Sequence, residues 1–281
     1  VETTISLLAK QAKMFSVVIA KRVTLNASKY GKCMSTCTDK VHSVYPGAVT
    51  NSDLVSKAKS ALAAHGYGEK TLLATSLCCD EINRVLDRDF GTVYDVNFSM
   101  GGLAGFPFGG VTSFGAMAHH IPDGGDCLVV FGPHVGIDAD GVVGKVNRRG
   151  MANSGACCGS ACAAAGHVAC ALKGEVPRQV ISTDVVDAQQ TFVNNLLLPY
   201  AERLDAADDT MAELPRALYD AQKKIIDQIV AAGCQEVGGD GKIALLGGIQ
   251  INTPESESDY FLPMDFEVRS NKNETIASLS I

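Results

Sequence analysis

Three short apolar runs constrain this chain most: "TLLATSL" (71–77), "CLVVFG" (127–132) and "KIALLGGIQINT" (242–253). Each is bounded by glycine, proline or charge, and each reads as a buried strand rather than a surface one. "TVYDVNF" (92–98) and "FLPMDFEVRS" (261–270) add two more strand candidates. Between them lie segments of helical period. They include "DLVSKAKSALAAHG" with Asn51 or Ser52 as cap, "DEINRVLDRDFG", a small-residue helix starting near Ser154 or Cys157, "VDAQQTFVNNLLLPYAERL" and "MAELPRALYDAQKKIIDQIVAAG". Strands that alternate with helices predict the α/β class: a central mixed, largely parallel sheet flanked by helices. Apolar positions at helical spacing (Leu7, Leu8, Met14, Val17, Val18) predict an N-terminal helical segment over 1–45, with the α/β domain over 46–281. The glycine- and phenylalanine-rich stretch "SMGGLAGFPFGGVTSFGAMAHHIPDGG" reads as a long, functional loop.

Charge and composition exclude some roles. A formal charge of −7 is a poor match for a nucleic-acid surface. No apolar stretch reaches the length of a membrane span. Ten cysteines in 281 residues are too few and too unevenly spaced for a disulfide scaffold, so a reducing compartment is expected.

Some of those cysteines stand where chemistry is expected. Cys78 and Cys79 follow "TLLATSL", His134 follows "CLVVFGP", and Cys157 and Cys158 precede "GSACAAAG". In open α/β sheets ligands bind beyond the carboxyl ends of the strands, so the first two segments are expected at one edge. Two thiolates, one imidazole and an open fourth position make a catalytic zinc site. A four-ligand structural site calls for paired C-x-x-C spacing, which neither "CC" pair has. A helix N-terminus at Cys157 or Cys158 favours the thiolate. Asp80 and Arg84 have the i, i+4 spacing at which a helical pair touches, and a bidentate arginine holds a carboxylate ionised. Cys79 is expected to turn into the core. The same residues suit a metal-free cysteine enzyme, with Cys158 as nucleophile and His134 as base; metal content separates the two.

Taken in order, "CCDEINR", "GGLAGFPFGGVTSFGAMAHHIPD", "FGPHVGI" and "GACCGSA" resemble the limiting-CO2-inducible protein B/C family of algal plastids, over about residues 45 to 255. That family, also called the θ class, is similar in fold and zinc chemistry to β-class carbonic anhydrases. The resemblance implies a β-carbonic-anhydrase-like fold. It implies Zn2+ held by Cys78, His134 and Cys158, the last preferred because Gly159 follows it. It implies Asp80 beside the fourth zinc position, with Arg84 holding that carboxylate.

The implied activity is reversible hydration of CO2 to bicarbonate in support of a CO2-concentrating mechanism. The alternative is a catalytically silent zinc-binding scaffold that assembles with a paralogue. A homodimer, a hetero-oligomer with a paralogue and a place in the chloroplast stroma are further implications. Phe106, Phe108 and Phe114 are candidates for the apolar wall that CO2 needs, and His119 and His120 for proton shuttling.

Overall fold

The computed structural model describes residues 37–94, 97–178 and 185–281. The helices expected before residue 30 lie outside them. Helix α1 (Cys37–Val44) leads to β1 (Val49–Thr50) and α2 (Asn51–Ala63). Thr50, one residue earlier than expected, caps α2, and its hydroxyl accepts a hydrogen bond from the Asp53 N–H at 3.2 Å. Strand β2 (Thr71–Ser76) is followed by a 3₁₀ turn (Glu81–Asn83), helix α3 (Arg84–Gly91) and β3 (Asn97–Ser99). Among the described residues of the expected "TVYDVNF" strand, Asn97 and Phe98 are in a strand. The N–H groups of Thr92, Val93 and Tyr94 are used closing the end of α3.

The stretch read as a glycine loop contains a helix, α4 (Gly110–Ala118). Its glycines mask the helical period, but Phe114, Met117 and Ala118 are buried at i, i+3 and i+4. Next come β4 (Asp126–Phe131), β5 (His134–Gly136) and a small hairpin of β6 (Lys145–Val146) and β7 (Gly155–Ala156). Helix α5 (Gly159–Leu172) follows. The next expected helix is two, α6 (Ala188–Leu197) and α7 (Ala201–Ala206), separated at Pro199, which has no N–H to continue the ladder. Helix α8 (Thr210–Gly233) tolerates Pro215 near its start. Strands β8 (Lys242–Asn252), β9 (Tyr260–Ser270) and β10 (Thr275–Ser278) complete the order.

The sheet runs β1-β9-β8-β4-β2-β3, with β10 also on β9 and β5 also on β8. Strands β3, β2, β4, β5 and β8 are mutually parallel where they pair; β9 is antiparallel to its neighbours. Successive residues in the central strands feed opposite cores. Leu73, Leu128, Val130 and Leu246 pack with Leu54 and Leu62 of α2 and Leu86 and Phe90 of α3. Leu72, Val129, Phe131 and Leu245 pack with Phe114 of α4 and Ile226 and Val230 of α8. Both faces are covered, which is why the runs are continuous rather than alternating. A third core, from α5 to α8, lies against Cys78, Phe106 and Cys158.

Strands β4 and β5 lie in succession along one edge of β8. Residues 127–131 pair with 243–247, and 134–136 with 250–252. Between them Gly132 meets Gly248, where a Cβ on Gly132 would stand 1.7 Å from the Gly248 carbonyl oxygen. Glycine is therefore required for this approach. It carries His134 past the end of β4 without losing the register.

Candidate metal centre

Cys78 emerges just beyond β2 and is 2% exposed. Its carbonyl accepts a hydrogen bond from Arg84 Nη2. Cys79 is exposed rather than in the core, because its N–H is turned to the Gly102 carbonyl at 3.2 Å. His134 is the first residue of β5. Cys158 is the N-cap of α5. The hairpin brings it there. Gly136 N–H donates to Cys157 O at 3.1 Å, and Cys157 N–H to Gly144 O at 3.0 Å.

These segments converge. The Sγ atoms of Cys78 and Cys158 and a ring nitrogen of His134 all lie within 4.8 Å of one another, and all three residues are buried. The two sulfurs are 3.7 Å apart. Cys157 Sγ lies 3.5 Å from Nδ1, and the three-donor cluster takes Cys158. His134 Nδ1 is 2.8 Å from Asn252 Oδ1, while buried Nε2 has no hydrogen-bond partner.

The glycine segment is strapped over the cluster. A Cβ on Gly101 would fall 2.1 Å from Leu77 O, and one on Gly105 2.4 Å from Gly132 O. Ser76 Oγ and Gln222 Nε2 both donate to the Gly105 carbonyl. This packing sets Phe106 into the same apolar cluster as Cys78 and Cys158, with Phe108 against it. Phe114 belongs instead to the core under α4. His119 reaches Gly115 O and Glu236, and His120 rests on Phe98, so their contacts lie away from the cluster.

The Asp80–Arg84 pair does not form. Asp80 is the N-cap of the 3₁₀ turn, with extended rather than helical backbone, so the i, i+4 rule does not reach it. Its carboxylate is gripped by Arg148, with Nη1 to Oδ1 at 2.8 Å and Nη2 to Oδ2 at 2.7 Å. Arg148 also contacts Glu81. Arg84 pairs with Asp87 at 3.0 Å. Burial pushes the Asp80 pKa up, but the hydrogen bonds with Arg148 and Glu81, and the charge of nearby His134, outweigh it and hold the carboxyl well below its ordinary range. A cleft of about 640 Å3 opens beside Arg148 and Asn252.

The donor set fits a soft divalent cation. The hydrogen bond with Cys158, together with burial, pushes the Cys78 thiol up to about 12. Burial opposes a charge on His134, yet the sulfurs of Cys157 and Cys78 override it and raise the imidazole well above its usual value. Two sulfurs, one imidazole and no fourth protein donor among the described residues match the three-ligand zinc pattern.

The family model of limiting CO2-inducible proteins B/C, beta carbonic anhydrases, matches residues 48–270. The chain belongs to the limiting CO2-inducible protein B/C family. The crystal structure of PtLCIB4, a homolog of the limiting CO2-inducible protein LCIB, is 48% identical, with a TM-score of 0.82, covering 86% of this chain and 100% of that one. A histidine-to-alanine mutant of the same protein gives 46% identity and a TM-score of 0.83 over 87% and 99%. LCIB itself shares the fold, at 18% identity and a TM-score of 0.64 over 85% and 96%. No curated protein matches the chain. In this B/C member the family match runs past residue 255 to the end of β9. Among the described residues no helix is long and apolar enough to cross a membrane.

Three residues of the site escape a reading by local spacing: Arg148, Asn252 and Asp259. Each sits just outside a recognisable motif. Their only sequence signal is polarity at the end of an apolar strand, as in "QINT" (250–253), or in a short turn, as in "NRRG" (147–150).

Proposed function

We propose that this chain binds one Zn2+ through Cys78, His134 and Cys158 and catalyses the reversible hydration of CO2 to bicarbonate. The observation that carries this reading is the buried cluster of two sulfurs and an imidazole whose Nε2 is left without a partner. Zinc bound there supplies a Lewis acid that brings the pKa of water toward about 7.

The protein's own residues do the rest. Asp80, held ionised by Arg148, is acceptor-only and orients a water hydrogen away from the attacking lone pair. CO2 carries no charge to grip, so an apolar wall suits it, and Phe106 with Ala104 offers one beside Cys78. The cleft bordered by Arg148 gives bicarbonate and protons a polar way out. Assembly into a homodimer or with a paralogue, a role in a CO2-concentrating mechanism and a place in the chloroplast stroma are part of the same proposal, by resemblance to the family.

The test pairs metal analysis with a stopped-flow CO2-hydration assay on one sample. One zinc per chain with turnover supports the reading. Zinc without turnover, alone and after mixing with paralogues, removes the enzymatic half. Turnover in metal-free protein removes the zinc.

A further inference from the structure

We infer that Asn252, fixed from behind by Asp259, is a positioning residue that reserves His134 Nδ1 for a proton and so aims Nε2 at the sulfurs. The inference deepens the metal-site reading and rests on it for its consequence, though the hydrogen-bond relay itself does not.

The relay follows from which groups donate. Asn252 Nδ2 lies 3.1 Å from Asp259 Oδ2 and 3.4 Å from the Ile82 carbonyl oxygen, both acceptors. An amide nitrogen must face acceptors, so the amide oxygen must face His134. That oxygen is 2.8 Å from Nδ1, which must therefore carry the hydrogen. Nε2 is left as the buried nitrogen without a partner.

Asp259 is not free to turn. Its Oδ1 accepts from Thr253 N–H at 2.8 Å and from the Thr253 hydroxyl at 3.3 Å. His134 and Asn252 are each 1% exposed. Their side chains are registered as well, since β5 pairs His134 with Gln250, two residues before Asn252 on β8. Cys157 Sγ, at 3.5 Å, is the weaker candidate for the same Nδ1 hydrogen. Partners of this kind behind a metal-ligating histidine typically contribute roughly 10–100-fold in metal affinity.

The experiment reads two signals, neither of them turnover. One is zinc affinity by chelator competition. The other is the NMR resonance of the His134 Nδ1–H proton, which a strong hydrogen bond moves downfield with or without metal. Asn252→Leu is expected to lower zinc affinity roughly 10–100-fold and to move the proton upfield. Asn252→Ser, which shortens the reach but keeps polarity, is read in parallel against a folding failure of the leucine variant. Cys157→Ala is expected to leave the proton where it is.

The double exchange Asn252→Asp with Asp259→Asn keeps an oxygen facing Nδ1 and an amide behind it, and is expected to restore both signals. A purely structural role would be satisfied by leucine. Wild-type affinity and an unmoved proton in Asn252→Leu and Asn252→Ser overturn the inference, as does a double exchange no better than leucine. A wild-type protein that takes up no zinc, yet shows the downfield proton and its loss, overturns the metal reading and leaves the relay standing.

Discussion

Arg148 holds Asp80 through two parallel hydrogen bonds of 2.7 and 2.8 Å, across 68 residues of chain. Planar, bidentate pairing of this kind fixes both the orientation and the charge of the carboxylate. Arg148→Ala is expected to lower kcat/KM for CO2 hydration roughly 100-fold, the lower range for loss of a positioned acid–base group. Zinc content should not change. Arg84→Ala leaves the Cys78 carbonyl unpaired instead, and is expected to cost about 1–3 kcal/mol of stability with a smaller loss of rate. Equal rate losses in the two variants would show that the grip on Asp80 is not what matters.

Metal binding should appear as thermal stability. A ligand present at roughly a thousandfold excess over its Kd stabilises a folded protein by about 4 kcal/mol, which raises the Tm of a chain this size by roughly 8–16 °C. Adding zinc to chelator-treated wild type should show that rise in a melting scan. Cys78→Ser and His134→Ala should not, because each removes one of three donors.

Two glycines should respond in opposite directions. In Gly132→Ala the new methyl meets a backbone oxygen at 1.7 Å, so the strand must shift, at about 3 kcal/mol, the upper range for overpacking. Gly91 ends α3 with nothing within 4 Å of its would-be Cβ. Gly91→Ala should stabilise by about 0.5–1 kcal/mol. Urea midpoints of the two variants test both.

Asp259 gives a pH signature. Burial raises its pKa by more than the Thr253 and Asn252 hydrogen bonds lower it. The folded state therefore binds the proton more tightly than the unfolded chain, whose value is about 3.9. Stability from this group is full below that value and declines as pH rises through the raised folded value. Asp259→Asn removes the titration. The difference in urea stability between wild type and variant should therefore change across that interval and be flat above it.

The parts legible from sequence are those set by neighbours in the chain. The central strands announce themselves because both their faces are buried, which leaves a continuous apolar run. The donors Cys78 and His134 stand out because polar chemistry follows such runs directly. What escapes is set by contacts over distance. Arg148 reaches Asp80 from 68 residues away and Asn252 meets His134 from 118. The Asp80–Arg84 expectation assumes a helix that begins only at Arg84. Helix α4 is hidden by glycines that carry no side chain to mark a period.

The pairing of β5 with the last residues of β8 also governs the order of events when the chain is made. His134 has no fixed station until residues 250–252 have been synthesised and docked beside it. A nascent chain that has exposed Cys78, His134 and Cys158 offers only scattered donors, with no preformed cage for a passing ion. An ion bound by these donors would then be a late arrival, captured by an almost finished sheet.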